Sequence, residues 1–556
     1  MKKRKILGAC LGTCVHVAGI MNFLNLAEDE GYETHFLGTA IPVDKLVEHI
    51  RKKNPEIVAL SYRLTPRVAK KLITSLEESI GKENLGKEIS FVFGGTEPVV
   101  KIAKESGFFD ALFSPGSPTS EVIAYLRGQR PSSTKERLPQ DIISRIKYRQ
   151  PYPLLRHHYG RPSLEETVQG IRDIAEAEVL DVVSLGPDQN AQQFFFHPKE
   201  MDPAQSGAGG VTIRTASDLE KLYQSTRCGN YPLMRCYSGT NDLLQMAGLL
   251  QKTIHNAWAA IPLCWYNVLD GRSERGLEES ITENLDAVTW HAEREIPVEM
   301  NESHHWGLRE AHDAVSIAAA YLAAYNAKKR GVKNYFSQYM LNTPPRTSHL
   351  MDLAKMLAQI DLIESLHDDQ FRSYRQFRAG LFSFPHNPEE AKGQLSASTY
   401  LAMTLEPDIY HVVGYSEGHH AAMAPEVIES CAIARQVIEV CLQGIPDPTL
   451  DPRVQERREE LVAEARVILE AFPQISSSQV DDPLADITTL VKGIKMGILD
   501  APHLAGNPHA RGALVTKEIE GAYYAYDPLS DRVIPEEERI GAILSGMKEK
   551  AINDSN

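Results

Sequence analysis

A chain of 556 residues is too long for one ordinary hydrophobic core, so two or three domains are expected. With 42% hydrophobic and 24% charged residues it has a globular balance, and a net charge of -15 without a long basic block argues against a nucleic-acid surface. The seven cysteines, scattered from Cys10 to Cys441, form no disulfide framework and fit a reducing cytoplasm.

The first residues imitate a secretory leader: Met1-Lys2-Lys3-Arg4-Lys5, then an apolar run to Leu11. Only about four apolar residues precede Cys10, short of the roughly 7–15 a leader needs, so export is not expected. No later run of 18 apolar residues occurs, so no membrane span is expected either.

Residues 5–128 alternate strand and helix signals. Strands are predicted at 5–11, 34–38, 56–61, 90–95 and 111–115, with helices starting near Ile20, Val43, Pro66, Glu97 and Ser120. Five such units predict an α/β domain, a flavodoxin-like doubly wound sheet of order 2-1-3-4-5. Its ligand crevice lies at the carboxyl ends of strands 1 and 3. Those ends carry the loop with Cys14 and His16, and Ser61-Tyr62-Arg63-Leu64. An imidazole offered from such a loop, with Gly19 three residues on, is a candidate metal ligand. Gly94-Gly95 after strand 4, and Ser114-Pro115-Gly116-Ser117-Pro118 after strand 5, let a flat ligand approach the backbone.

The set Cys-x-His-x-x-Gly, Ser-x-x-Leu, Gly-Gly and Ser-Pro-Gly-Ser-Pro, at these separations, resembles the cobalamin-binding domain of B12-dependent mutases. The likeness is to the small subunit of glutamate mutase and the related part of lysine 5,6-aminomutase. It implies that His16 is the lower axial ligand of cobalt, in place of the cofactor's own dimethylbenzimidazole. It also implies that Ser61 bonds the displaced base and that Gly94 and Gly95 line the tail channel. Gly19, Leu64, Ser114 and Gly116 complete that expected cofactor set. One position departs: the family has aspartate two residues before the histidine, where this chain has Cys14. A thiol is a weaker acceptor for the imidazole N–H, so ligation by His16 is expected to be differently tuned.

Residues 129–165, rich in proline and basic side chains, read as a linker with a short helix inside. From 166 to 445 strand signals recur at 180–185, 231–236, 261–266, 296–300, 333–338, 377–384 and 410–415, with 210–213 weaker. Eight strands over that length predict a (β/α)8 TIM-type barrel. The resemblance extends here: Glu299-Met300-Asn301-Glu302, and the run from Val491 to Asp500, look like the large subunit of glutamate mutase. It implies both subunits fused in one chain, cofactor domain first. Residues 446–556 read as a C-terminal extension packed on the barrel and on a second subunit of a homodimer.

Barrel chemistry sits at the carboxyl ends of strands. Asp188 and Gln192 are candidates for a polar floor under substrate or adenosine, or else for a capped loop. Glu299 and Glu302, with His304 and His305, are candidate acid/base groups, and Trp306 a shield against water. Glu417 and His419 are a second acid/base pair, or else a turn capping the following helix. Arg214, Arg346 and Arg378 are candidate carboxylate clamps, though surface salt bridging suits each alone equally well. The resemblance implies an adenosylcobalamin-dependent isomerase, a radical mutase acting on a small amino acid or carboxylic acid. A corrinoid methyltransferase ranks second, because a first strand at Lys5 leaves no room for the helical cap such proteins carry. A cobalamin sensor without catalysis ranks third, because it does not explain a barrel with crowded strand ends.

Overall fold

The first unit holds a parallel sheet of β1 (Lys5–Cys10), β2 (Glu33–Phe36), β3 (Ile57–Tyr62), β4 (Ser90–Gly95) and β5 (Ala111–Phe113), in which the apolar runs β1 and β3 are buried on both faces and β2 and β5 are the more exposed edges. In this computed structural model, residues 4–83, 85, 89–114, 117, 119–126 and 138–554 are described, and the chain divides into two units, Met1–Glu136 and Arg137–Asn556. The sheet order is β2-β1-β3-β4-β5, parallel throughout. Register sets Cys10 beside Ser61, and Ser61 beside Gly94, so three neighbouring strand ends align.

Helices α1 (Ala18–Asp29), α2 (Val43–Lys53), α3 (Pro66–Glu83), α4 (Glu97–Ser106) and α5 (Thr119–Leu126) connect the strands. Helix α2 shows the logic. Val43, Leu46, Val47 and Ile50 form one buried stripe at helical spacing. Arg51, Lys52 and Lys53 meet the negative end of its dipole, and Asn54 stops it in the left-handed region at φ 44°.

The second unit holds eight parallel strands: β6 (Leu154–Tyr159), β7 (Val182–Leu185), β8 (Leu233–Cys236), β9 (Ala259–Ala260), β10 (Val298–Glu299), β11 (Asn334–Leu341), β12 (Arg372–Ala379) and β13 (Ile409–His411). They run in sequence order around a nearly closed barrel, with β13 returning to pair with β6. Ser238 N–H to Ala260 O (3.3 Å) and Ala257 N–H to Met234 O (2.9 Å) tie β8 to β9.

Three sequence expectations need correction here. Strand β6 lies inside the stretch read as linker, because its inward residues, Arg156 and His158, disguise it as polar chain. Residues 210–213 form only an isolated bridge, Val211 with Pro187. The strand expected at 261–266 is the shorter β9, and Leu263 and Cys264 beyond it are held by Glu302 instead of by a neighbouring strand.

Helix Ile142–Arg149 seals the amino end of the barrel. Its Ile142 and Ile146 pack with Leu154, Val182, Leu233, Trp258, Phe336, Tyr374 and Ile409 in one buried apolar layer. Towards the carboxyl end, the next inward positions are two residues on, because strand side chains alternate. They are Arg156, Ser184, Arg235, Gln338, Gln376 and His411, a polar layer directly above an apolar one.

The C-terminal extension contributes helix Pro452–Ile475, helix Ile487–Met496 and the antiparallel strands β14 (Thr516–Ile519), β15 (Ala522–Asp527) and β16 (Arg532–Val533). Leu461, Ile468 and Phe472 share a core with Ala314, Ala318 and Leu322 of the barrel's helix Asp313–Lys329. Among the described residues no helix is long and apolar enough to cross a membrane.

Candidate functional site

In the first unit the candidate site forms where β1 ends. The chain turns at Gly12, φ +66°, where an added Cβ would stand 2.5 Å from the Leu72 side chain. Three backbone hydrogen bonds then pin the loop: Gly12 N–H to Ile41 O (2.8 Å), Cys14 N–H to Leu11 O (3.2 Å) and Ala40 N–H to Cys14 O (2.9 Å). Cys14 is buried, whereas His16 is exposed. The His16 Nδ1 lies 3.8 Å from the Cys14 Sγ, so this nitrogen faces the protein. Its Nε2 has no partner among the described residues, which leaves it free for a metal. The Cys10 thiol donates to the His16 carbonyl (3.4 Å), and burial pushes Cys10 up to about 11, which keeps it a thiol.

The neighbouring strand ends are equally open. Ser61 is buried, yet its hydroxyl has no partner among the described residues. The two glycines of β4 differ in their reason for being glycine. A Cβ on Gly95 would meet the Tyr62 carbonyl at 2.5 Å, so the protein's own packing demands it. A Cβ on Gly94 would meet only Phe113 O at 3.7 Å, and one on Gly19 would meet nothing within 4 Å. Packing leaves these two positions room for a side chain that the sequence withholds. Val15 (60% exposed), Leu64 (41%) and Val68 (38%) follow β1 and β3 and present apolar surface at the same edge. Ser114 accepts the Ser117 N–H in a turn, and Gly116 lies outside the described residues.

In the second unit the polar layer centres on Glu299. One of its oxygens accepts from Trp258 Nε1 (2.6 Å), Arg235 Nη2 (3.0 Å) and Arg156 Nη1 (3.3 Å). Burial pushes this carboxyl up, but Arg235 and Arg156 outweigh it and hold it below the usual carboxylate range. Glu299 is therefore a counter-ion for two buried guanidinium groups, and the acid/base role expected of it is not supported. Glu302 is also committed. It accepts from Leu263 N–H (2.8 Å), Cys264 N–H (3.2 Å) and Trp306 Nε1 (3.0 Å), bracing the chain after β9. Trp306 is fully buried and packs against Trp265.

Other candidates are similarly occupied. Arg214 makes a bidentate pair with Asp188 (2.8 and 2.5 Å), and Asp188 caps helix Gln189–Phe194, so neither is free for a substrate. Gln192 donates to Pro187 O (2.8 Å). Glu417 stands 3.0 Å from the buried His157. His419 is exposed with its Nδ1 3.0 Å from that of His420, which in turn meets Glu426 at the start of helix Ala424–Leu442. Glu417 also accepts from Gly414 N–H (3.4 Å) in its own turn, and the helix itself is capped by Glu426, which accepts from Met423 N–H (2.8 Å). Arg346 is exposed on a loop at φ +72°.

Arg378 is different. It is part-buried at the end of β12, its Nε donates to Ala379 O (3.3 Å), and it makes no ion pair among the described residues. Around this strand end stand His158, Tyr237 and His304, all part-buried. Tyr237 lies flat against His158, its hydroxyl 3.0 Å from His158 Nε2. Burial first, then Arg156, Arg235 and Arg378, hold His158 well below the usual histidine range. Burial and Arg378 push His304 down to about 3. These histidines are neutral. Arg156, Arg235 and Gln376 are not among the candidates expected from the sequence. The signal was present: Leu154-x-Arg156-x-His158 in β6 and Leu233-x-Arg235-x-Tyr237 in β8 share one inward spacing.

Comparison with known proteins gives one family match, and it lies in the first unit. Residues 4–124 match the B12 binding domain family. The beta subunit of D-ornithine 4,5-aminomutase from Acetoanaerobium sticklandii is 29% identical over 131 residues, 23% of this chain and 18% of that protein. Among solved structures, a cobalamin-binding protein from Desulfitobacterium hafniense DCB-2 is 28% identical, over 20% of this chain and 53% of that one, with a TM-score of 0.19. The apo form of OxsB, a cobalamin-dependent S-adenosylmethionine radical enzyme, is 9% identical over 79% of this chain and 56% of that one, with a TM-score of 0.17. The chain thus spans less than a fifth of the curated relative and a little over half of each solved neighbour.

Proposed function

We propose that the chain is an adenosylcobalamin-dependent mutase, in which the first unit holds the cofactor and the barrel holds a small amino acid or carboxylic acid. One observation carries this reading. Within the segment matching the B12 binding domain, an exposed imidazole with a free Nε2 follows β1, whose end pairs with the strand end carrying the unpartnered Ser61 hydroxyl, and Gly94 and Gly19 are glycines that packing does not require. His16 would ligate cobalt, Ser61 would bond the displaced base, and Gly94 and Gly19 would give the tail passage. Val15, Leu64 and Val68 would meet apolar parts of the cofactor. Bound adenosylcobalamin supplies the radical chemistry, by homolysis of its cobalt–carbon bond. Cys14 takes the place of a carboxylate, so it withdraws less of the imidazole proton and leaves His16 a weaker donor.

In the barrel, the free guanidinium of Arg378 is the group suited to a substrate carboxylate. The neutral His158 and His304 add hydrogen bonds without adding charge. Similarity to an aminomutase supports an amino-acid substrate, and a fused glutamate mutase-like arrangement is part of the same proposal. The test is anaerobic incubation with adenosylcobalamin and a pool of small amino acids and carboxylic acids. We expect a product of unchanged mass that forms only with adenosylcobalamin. Methyl transfer from methylcobalamin to a thiol, without isomer formation, would instead identify a methyltransferase.

A further inference from the structure

The buried polar layer contains a chain of hydrogen bonds whose direction is fixed at one end. A guanidinium can only donate. Arg156 Nη1 lies 2.6 Å from the side-chain oxygen of Gln376, so Gln376 must turn its amide nitrogen the other way. That nitrogen lies 3.5 Å from the side-chain oxygen of Gln338. Gln338 must then point its own amide nitrogen onward, and it lies 3.0 Å from His304 Nδ1. An amide N–H needs an acceptor, so His304 Nδ1 carries no proton. A second branch of the same guanidinium, Nη2, lies 3.1 Å from His158 Nε2, which must likewise be unprotonated.

We propose that Arg156, acting through Gln376 and Gln338, fixes His304 as a neutral imidazole whose Nε2–H serves as a donor to a carboxylate ligand at the carboxyl end of the barrel. The ligand half rests on the proposed reading of the barrel as the substrate site. The tautomer half does not. Arg156, Gln376 and Gln338 are positioning residues. Gln376 is fully buried and Gln338 is 5% exposed, so neither is expected to meet the ligand. With Arg378 unpaired nearby, the end of the barrel offers donors, which suits a group made only of acceptors.

The test exploits the one-way chain. Gln376→Glu still accepts from Arg156, but its other oxygen now demands a donor from Gln338. Gln338 must flip, present its oxygen to His304, and force the proton onto Nδ1. A substitution two links away is thus predicted to exchange the two imidazole nitrogen signals of His304. They would be read by nuclear magnetic resonance of the full chain with labelled histidine, assigned through His304→Gln. Gln338→Glu makes the same exchange one link closer and serves if the first variant does not fold. Acetate binding, with acetamide as the neutral control, is expected to weaken about tenfold or more in either variant, because a hydrogen bond to a charged group is lost. His304 signals unchanged in both folded variants would overturn the relay. Exchanged signals with unchanged acetate affinity would overturn the ligand assignment. Absence of turnover with adenosylcobalamin would touch neither readout.

Discussion

Replacing Glu299 by glutamine is expected to destabilise the second unit by roughly 3–5 kcal/mol, the usual cost of breaking a buried ion pair from one side. The shape of the side chain is kept and only its charge is removed. Arg156 and Arg235 then share the buried layer with no carboxylate, and Arg235 already has Nε and Nη1 without partners. Trp258 keeps an acceptor, so loss of that hydrogen bond does not account for the effect. The urea midpoint of the second unit measures it. Adding Arg235→Met to Glu299→Gln should recover part of the loss, because one uncompensated charge is gone. A loss below about 1 kcal/mol would mean that water or an anion already screens these arginines.

Acid is expected to unfold the same unit steeply. His291, His305 and His411 are at most 4% exposed, and burial holds all three below the usual histidine range, His291 at about 4. Their unfolded forms take up protons near pH 6.5, while the folded forms stay neutral. The unfolded state therefore binds more protons as pH falls, and stability is full above about pH 6.5 and lost below it. Each such group adds about 1.4 kcal/mol per pH unit, and His158 and His304, also held neutral, act in the same direction. Asp352 works the other way. Burial pushes it up to about 7, so its folded form takes up a proton first and gains stability as pH falls. It offsets about one histidine, and Glu302, which burial also pushes up, acts the same way, leaving a net loss of stability as pH falls from about 6 to 5. Urea midpoints across pH 5 to 8 would register this, and a flat profile would contradict the neutral histidines.

The parts of the site legible in the sequence are those where a side chain is out of character for its place. His16 stands on a loop between an apolar strand and an amphipathic helix, where neither element needs it. Gly94 interrupts an apolar strand for no reason of packing. The barrel interior was less legible because its polar layer obeys the same period of two as a solvent-facing strand. Leu154-Leu155-Arg156-His157-His158-Tyr159, next to Pro151 and Pro153, looks like exposed linker until β6 is seen lining a barrel. Glu299 was legible at its strand end, but its pairing was not, because its partners Arg156 and Arg235 come from strands 143 and 64 residues away. Arg214 and Asp188, 26 residues apart, satisfy each other in a way that only the folded chain reveals.

The most direct test is electron paramagnetic resonance of the cobalt(II) form of cobalamin bound to the full chain, prepared with ordinary and with heavy-nitrogen histidine. Ligation by His16 predicts nitrogen splitting that changes from triplets to doublets on labelling and disappears in His16→Ala. Splitting that ignores the label, or survives His16→Ala, would mean that another group sits beneath cobalt.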